Sequence, residues 1–72
     1  MTLVTMKVGS KGRILDVRTN KPERNRLSDL GFYIGNTFLV TNKTSNGITV
    51  LISGSRIALG KGVANSIIVE NL

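Results

Sequence analysis

Apolar residues recur along the chain at two different periods, and each change of period marks an element. Phe38 and Val40, then Ile48, Val50 and Ile52, alternate with mostly polar neighbours at period two, which predicts two half-buried strands. Ile57 with Leu59, and Ile67 with Val69, repeat the pattern in two shorter strands. Between Arg13 and Arg18, the residues Ile14, Leu15 and Val17 cannot all face one side, so this first strand is expected to carry a bulge or bend. Leu3 and Met6 read as apolar anchors ahead of a turn at Gly9-Ser10-Lys11-Gly12. Only Leu27 and Leu30 follow helical spacing. Thr19 or Asn20 is placed to cap that helix, Pro22 suits its first turn, and Asn20 with Glu23 has the spacing of a capping box. The chain reads as mainly β: about five strands, with one short helix between the first and second.

Glycines fix the joints. Gly31 suits the left-handed position after the helix, with Phe32 folding back onto Leu27, and Gly35 suits the positive φ of a type II turn. For the central hairpin, inward Phe38 and Val40 facing inward Ile48, Val50 and Ile52 require even positions to oppose even positions. A three-residue loop Ser45-Asn46-Gly47, with Gly47 left-handed, gives that register. Val40 then opposes Ile52, and Phe38 lies over Gly54, where the missing side chain leaves room for the ring. Leu39 and Leu51 become diagonal neighbours on the outer face. Three readings of that pair stand: a docking patch, a surface covered by the N-terminal segment, or ordinary exposed leucines.

A chain of 72 residues reads as one domain, 1–72, able to bury only about 60% of its unfolded surface. Cys and His are absent, so neither a disulfide nor a soft-ligand metal site can staple the core, and a closed, edge-free β architecture is the expected remedy. Apolar runs are far short of the roughly 20 residues of a membrane span, and residues 1–7 lack the pattern of a leader peptide. The expected setting is the cytoplasm. Charge is lopsided: residues 1–26 carry seven cations against two carboxylates (net +5), residues 27–72 three against two (net +1). A one-sided positive surface steers acidic partners, or simply keeps a small protein soluble. Catalysis has little to work with, because the carboxylates Asp16, Glu23, Asp29 and Glu70 are scattered and no serine or lysine has an activating base. Gly60-Lys61-Gly62 is too short for a phosphate loop and reads as a tight turn or single helical turn. No enzyme activity, cofactor or tightly bound metal is expected.

The run Arg26-Leu27-Ser28-Asp29-Leu30-Gly31-Phe32-Tyr33-Ile34-Gly35, followed by a strand hairpin, Ile57-Ala58-Leu59 and Ala64…Ile67-Ile68-Val69, resembles the FeoA family of bacterial ferrous-iron transport accessory proteins. The resemblance spans about Leu3 to Val69. It departs at Ile34-Gly35, where the family usually shows Pro-Gly, and at Gly60 and Gly62, where a basic and a helix-favouring residue are common. It implies an SH3-like barrel, similar also to the C-terminal module of DtxR-type repressors. It further implies a cytoplasmic helper that contacts FeoB, the membrane GTPase transporter, and a family-level association with transition metals. On that reading Arg24 and Arg26 are candidates for ion pairs with the partner, and Leu39 and Leu51 for its apolar anchor. Leu27, Leu30 and Phe32 hold the helix on the barrel. The alternative is a nucleic-acid-binding small barrel, argued from a pI near 10.6. It lacks the exposed aromatics that stack bases, since only Tyr33 is assigned outward. A peptide adaptor of the polyproline-binding kind lacks an aromatic-lined groove.

Overall fold

Asn20 and Gly31 bound the main helix, α1 (Lys21–Asp29), in the computed structural model of residues 1–72. The Asn20 side chain accepts the Glu23 N–H at 2.9 Å, supplying one orphan donor of the first turn with its partner. Only half of the expected capping box forms. The Glu23 carboxylate turns instead to Arg26, where a two-pronged charge-assisted contact outcompetes a neutral amide. At the other end the Gly31 N–H donates to Ser28 O and the Phe32 N–H to Leu27 O, the two bonds of a Schellman motif, with Gly31 at φ +112°. Gly35 follows at φ +94° inside a turn closed by Asn36 N–H to Tyr33 O.

Five antiparallel strands form one sheet in the order β4-β3-β2-β1-β5. They are β1 (Lys11–Val17), β2 (Thr37–Thr44), β3 (Gly47–Ile52), β4 (Ser55–Gly60) and β5 (Ile67–Asn71). A 3₁₀ turn (Leu3–Thr5) precedes them, and a single helical turn, α2 (Lys61–Ala64), joins β4 to β5. β1 starts two residues earlier than the pattern predicts, because Gly12 sits in the strand and not in the turn before it. Its bulge falls between Ile14 and Asp16 opposite β5, so Ile14 and Val17 both face inward while Leu15 faces out.

The β2–β3 hairpin differs from the expected one. Thr44 opposes Gly47 across a two-residue turn, Ser45-Asn46, and parity is restored by a bulge at Thr41. Val40 therefore opposes Val50, and Leu39 directly opposes Leu51. The even positions Phe38, Val40, Ile48, Val50 and Ile52 are all buried, as the pattern requires. Phe38 lies over Gly12, its partner across β1–β2, and not over Gly54: a Cβ at Gly12 would come within 2.5 Å of the ring. Gly54 instead forms the β3–β4 turn with Ser53, both at positive φ. Gly47 has no left-handed φ; it is required because a Cβ there would overlap the Leu59 carbonyl.

The sheet curls around a core that also holds Leu3, Met6, Leu27, Phe32, Ala64, Ile67 and Val69, with Leu30 packed against it at the end of α1. Each fully buried Ile, Leu or Phe contributes about 1.5–3 kcal/mol, so this cluster carries the fold without a staple. Edges are not abolished. The outer side of β5 is bridged by the N-terminus, with Thr2 opposite Ile68 and Val69 N–H donating to Met1 O, but no strand pairs with the outer side of β4. The expectation of an edge-free sheet fails there, because α2 spans the gap where a β4–β5 ladder would be needed.

Candidate docking surface

Strand register builds one continuous row across the outer face of the sheet. Lys11 opposes Leu39, Leu39 opposes Leu51, and Leu51 opposes Arg56. Directly opposed residues have Cβ atoms about 4.5–5.5 Å apart, so the two leucines form a tighter pair than the diagonal expected. Leu39 is half-buried and Leu51 is 40% exposed. They share a shallow groove with Lys11, Thr37, Ser53 and Gly54; no residue before Lys11 lines it, so the N-terminal segment does not cover this pair. Lys11 and Arg56 make no ion pair, and no carboxylate occurs in sequence between Thr37 and Val69. The row is an apolar centre with a cation at each end.

Arg24 and Arg26 are two residues apart on α1 and do not share a face. Arg24 is tied down within the chain: its guanidinium donates to Val17 O and Thr19 O at 3.3 and 3.2 Å, fastening α1 to the end of β1. It borders a second groove with Asp16, Ser28, Tyr33 and Ile34. There Tyr33, outward as expected, and Ile34 are exposed, an apolar patch that turn-based reasoning does not join because both residues lie outside any periodic segment. Arg26 is held by Glu23 at 2.6 Å. With Arg13–Glu70 and Arg18–Asp16, three of the seven cations of residues 1–26 are ion-paired. The local positive field is weaker than the composition implies. The charges that flank the leucine pair, Lys11 and Arg56, emerge only from long-range register, which leaves no local sequence signal.

These pairs set a pH response. The side-chain hydrogen bond from Arg18, helped by the Val17 N–H, holds the Asp16 carboxyl below the usual range; the Arg26 hydrogen bond does the same for Glu23 and raises the Arg26 guanidinium. A depressed carboxylate adds stability above the ordinary carboxylate range, and the contribution is lost as pH falls through the lowered value. Both sites are partly exposed, so the effect is small. Urea unfolding is expected to separate wild type from Glu23→Gln near neutral pH and to bring them together in acid. A gap that persists in acid would place the cause elsewhere.

The donor set does not fit a lasting iron or zinc site. The chain offers no imidazole or thiolate, and no three of its carboxylates come together. Anaerobic titration with ferrous iron is expected to show no saturable binding in the micromolar range, an affinity of about −8 kcal/mol. Stoichiometric binding at that level would overturn this and point to a metal-carrying role.

No helix is long and apolar enough to cross a membrane. No curated protein matches the chain by sequence. Among solved structures it is similar to an iron uptake regulatory protein, FeoA, with 30% identity over 100% of this chain and 97% of that one, at a TM-score of 0.93. A FeoA from Chlorobium tepidum is 27% identical over 100% of this chain and 70% of that one, at a TM-score of 0.91. The fold also matches a FeoA from Stenotrophomonas maltophilia complexed with zinc, a procaryotic SH3 domain protein (24% identity, 97% of this chain and 89% of that one, TM-score 0.84). The FeoA domain model matches residues 1–71, and the chain, a five-stranded SH3-like sheet with one helix after its first strand, belongs to the FeoA domain family.

Proposed function

We propose that this chain is a small cytoplasmic accessory protein of ferrous iron uptake. It acts by docking onto the cytoplasmic part of a FeoB-type membrane GTPase, with no catalysis and no resident metal. The row Lys11, Leu39, Leu51 and Arg56 carries the reading: an apolar pair flanked by cations that make no ion pair, with the carboxylate of that face, Glu70, already held by Arg13. Leu39 and Leu51 anchor the contact. Lys11 and Arg56 steer it, and Arg24 on α1 adds longer-range attraction, whereas Arg26, neutralised by Glu23, adds little.

The test is capture from detergent-solubilised membranes, compared with soluble lysate, using the tagged chain. Recovery of a membrane GTPase from the first is the expected result. Recovery of nucleic acid without it would favour a basic-barrel binder. Steering charges act on the on-rate, so Lys11→Glu with Arg56→Glu is expected to slow association and flatten its salt dependence. This pair is a cleaner probe than Arg24→Glu with Arg26→Glu, which would also cut the α1 tether and set a second carboxylate beside Glu23. Unchanged association in the Lys11/Arg56 variant would move the docking face elsewhere.

A further inference from the structure

The β3–β4 hairpin leaves half of the β4 main chain unused. Ser53 and Gly54 lie at φ +49° and +78° and close a two-residue turn, the primed type in which the flanking residues, Ile52 and Ser55, form a hydrogen-bonded pair. Alternation along the ladder then makes Val50–Ile57 and Ile48–Leu59 hydrogen-bonded pairs as well. It also turns the N–H and C=O of Arg56 and Ala58 away from β3. β4 ends the strand order, no main-chain group from any element but β3 bonds to residues 55–59, and Arg56 and Ala58 are exposed. Along this edge the outer face carries the unpaired Arg56 and the inner face the half-buried Ile57. The three strands β2, β3 and β4 contain Lys43 and Arg56 and no carboxylate.

We infer that β4 is a strand-addition site for an extended acidic segment of a partner protein. Two N–H donors and two C=O acceptors, on Arg56 and Ala58, supply the main-chain ladder. A carboxylate on the incoming strand sits beside Arg56, and an apolar residue on its other face meets Ile57. A second copy of this chain does not fit: antiparallel β4–β4 pairing would oppose Arg56 to Ala58 and bring together two molecules of net charge +6 with no carboxylate at the seam. A cation on an open edge guards against such self-pairing, and the same cation selects an acidic strand. The inference rests on the reading of the chain as a protein-docking module, and not on which protein docks.

The test is an amide-resolved NMR titration with a capped octapeptide of alternating glutamate and valine, beside its lysine–valine counterpart. With the acidic peptide the Arg56 and Ala58 amides are expected to shift in a saturable way and to exchange with solvent at least about tenfold more slowly, while the lysine peptide binds at least about tenfold more weakly. Ala58→Pro removes an N–H that β3 does not use, so the variant is expected to fold and to lose the peptide. Arg56→Glu is expected to reverse the peptide preference, and it decides the matter if Ala58→Pro does not fold. Absence of saturable shifts, shifts confined to other strands, or full binding by a folded Ala58→Pro variant would overturn strand addition. If any of these occurs while the chain still captures a membrane GTPase, the docking function stands and only the β4 site falls. If the β4 amides respond to the acidic peptide and no GTPase is captured, strand addition stands and the transporter reading falls.

Discussion

Gly31→Val is expected to lower the stability of the protein by roughly 3 kcal/mol, the sum of left-handed backbone strain and overpacking. At φ +112° a β-branched residue is strained wherever it stands. Space is also missing here. A Cβ would lie 2.8 Å from Ser53 Oγ and 3.3 Å from Ile52 Cγ1, so the helix end would be pushed off the β3–β4 turn. Asn36 spans the same junction, donating to Gly31 O at 2.7 Å and to Ser53 Oγ at 3.1 Å, and any shift of Gly31 breaks that clamp. Gly35→Ala separates the two causes: it meets φ +94° with nothing within 4 Å, so strain alone should cost about 1 kcal/mol. Urea midpoints at constant slope measure both. An unchanged midpoint for Gly31→Val, or a larger loss for Gly35→Ala, would refute the account of the helix stop.

Leu39→Ser with Leu51→Ser is expected to weaken binding to the transporter's cytoplasmic region by about 10- to 100-fold, nearly all of it in the off-rate. The two side chains face each other across β2–β3 on the outer face, and Leu51 is substantially exposed, so their replacement removes contact area from the patch and little from the core. The variant should keep its β-sheet circular dichroism. Polar residues at the centre of the patch would leave the partner's apolar surface wet, which shortens the life of the complex without slowing encounter. Loss of binding with slowed association and an unchanged off-rate would assign the pair a steering role that apolar groups do not have.

Local signals were legible wherever one residue type has one conformational use. Asn20 as a cap, Gly31 as a helix stop and Gly35 in a turn sit where the sequence places them, and so do the buried even positions of β2 and β3. The bulge in β1 was readable because three apolar residues in four cannot share one face. The hairpin register was not. An odd residue can be absorbed by a longer loop or by a bulge inside a strand, and the inward pattern is the same for both; here Thr41 takes it. Phe38 over Gly12 depends on β1–β2 pairing across more than twenty intervening residues, which no local pattern encodes. The candidate surface follows the same division. Leu39 and Leu51 were visible as outward apolar residues, but the Lys11 and Arg56 flanks and the open β4 edge arise from long-range pairing. Arg26 and Arg24 were visible as charges, whereas their acceptors, the Glu23 carboxylate and two main-chain carbonyls, were not.

The most direct measurement is binding of the purified chain to the immobilised cytoplasmic region of a FeoB-type transporter, with wild type and the Leu39→Ser/Leu51→Ser variant run side by side. The account predicts saturable binding by wild type and a much faster dissociation of the folded variant. Absence of wild-type binding, or identical dissociation of the two proteins, would contradict it.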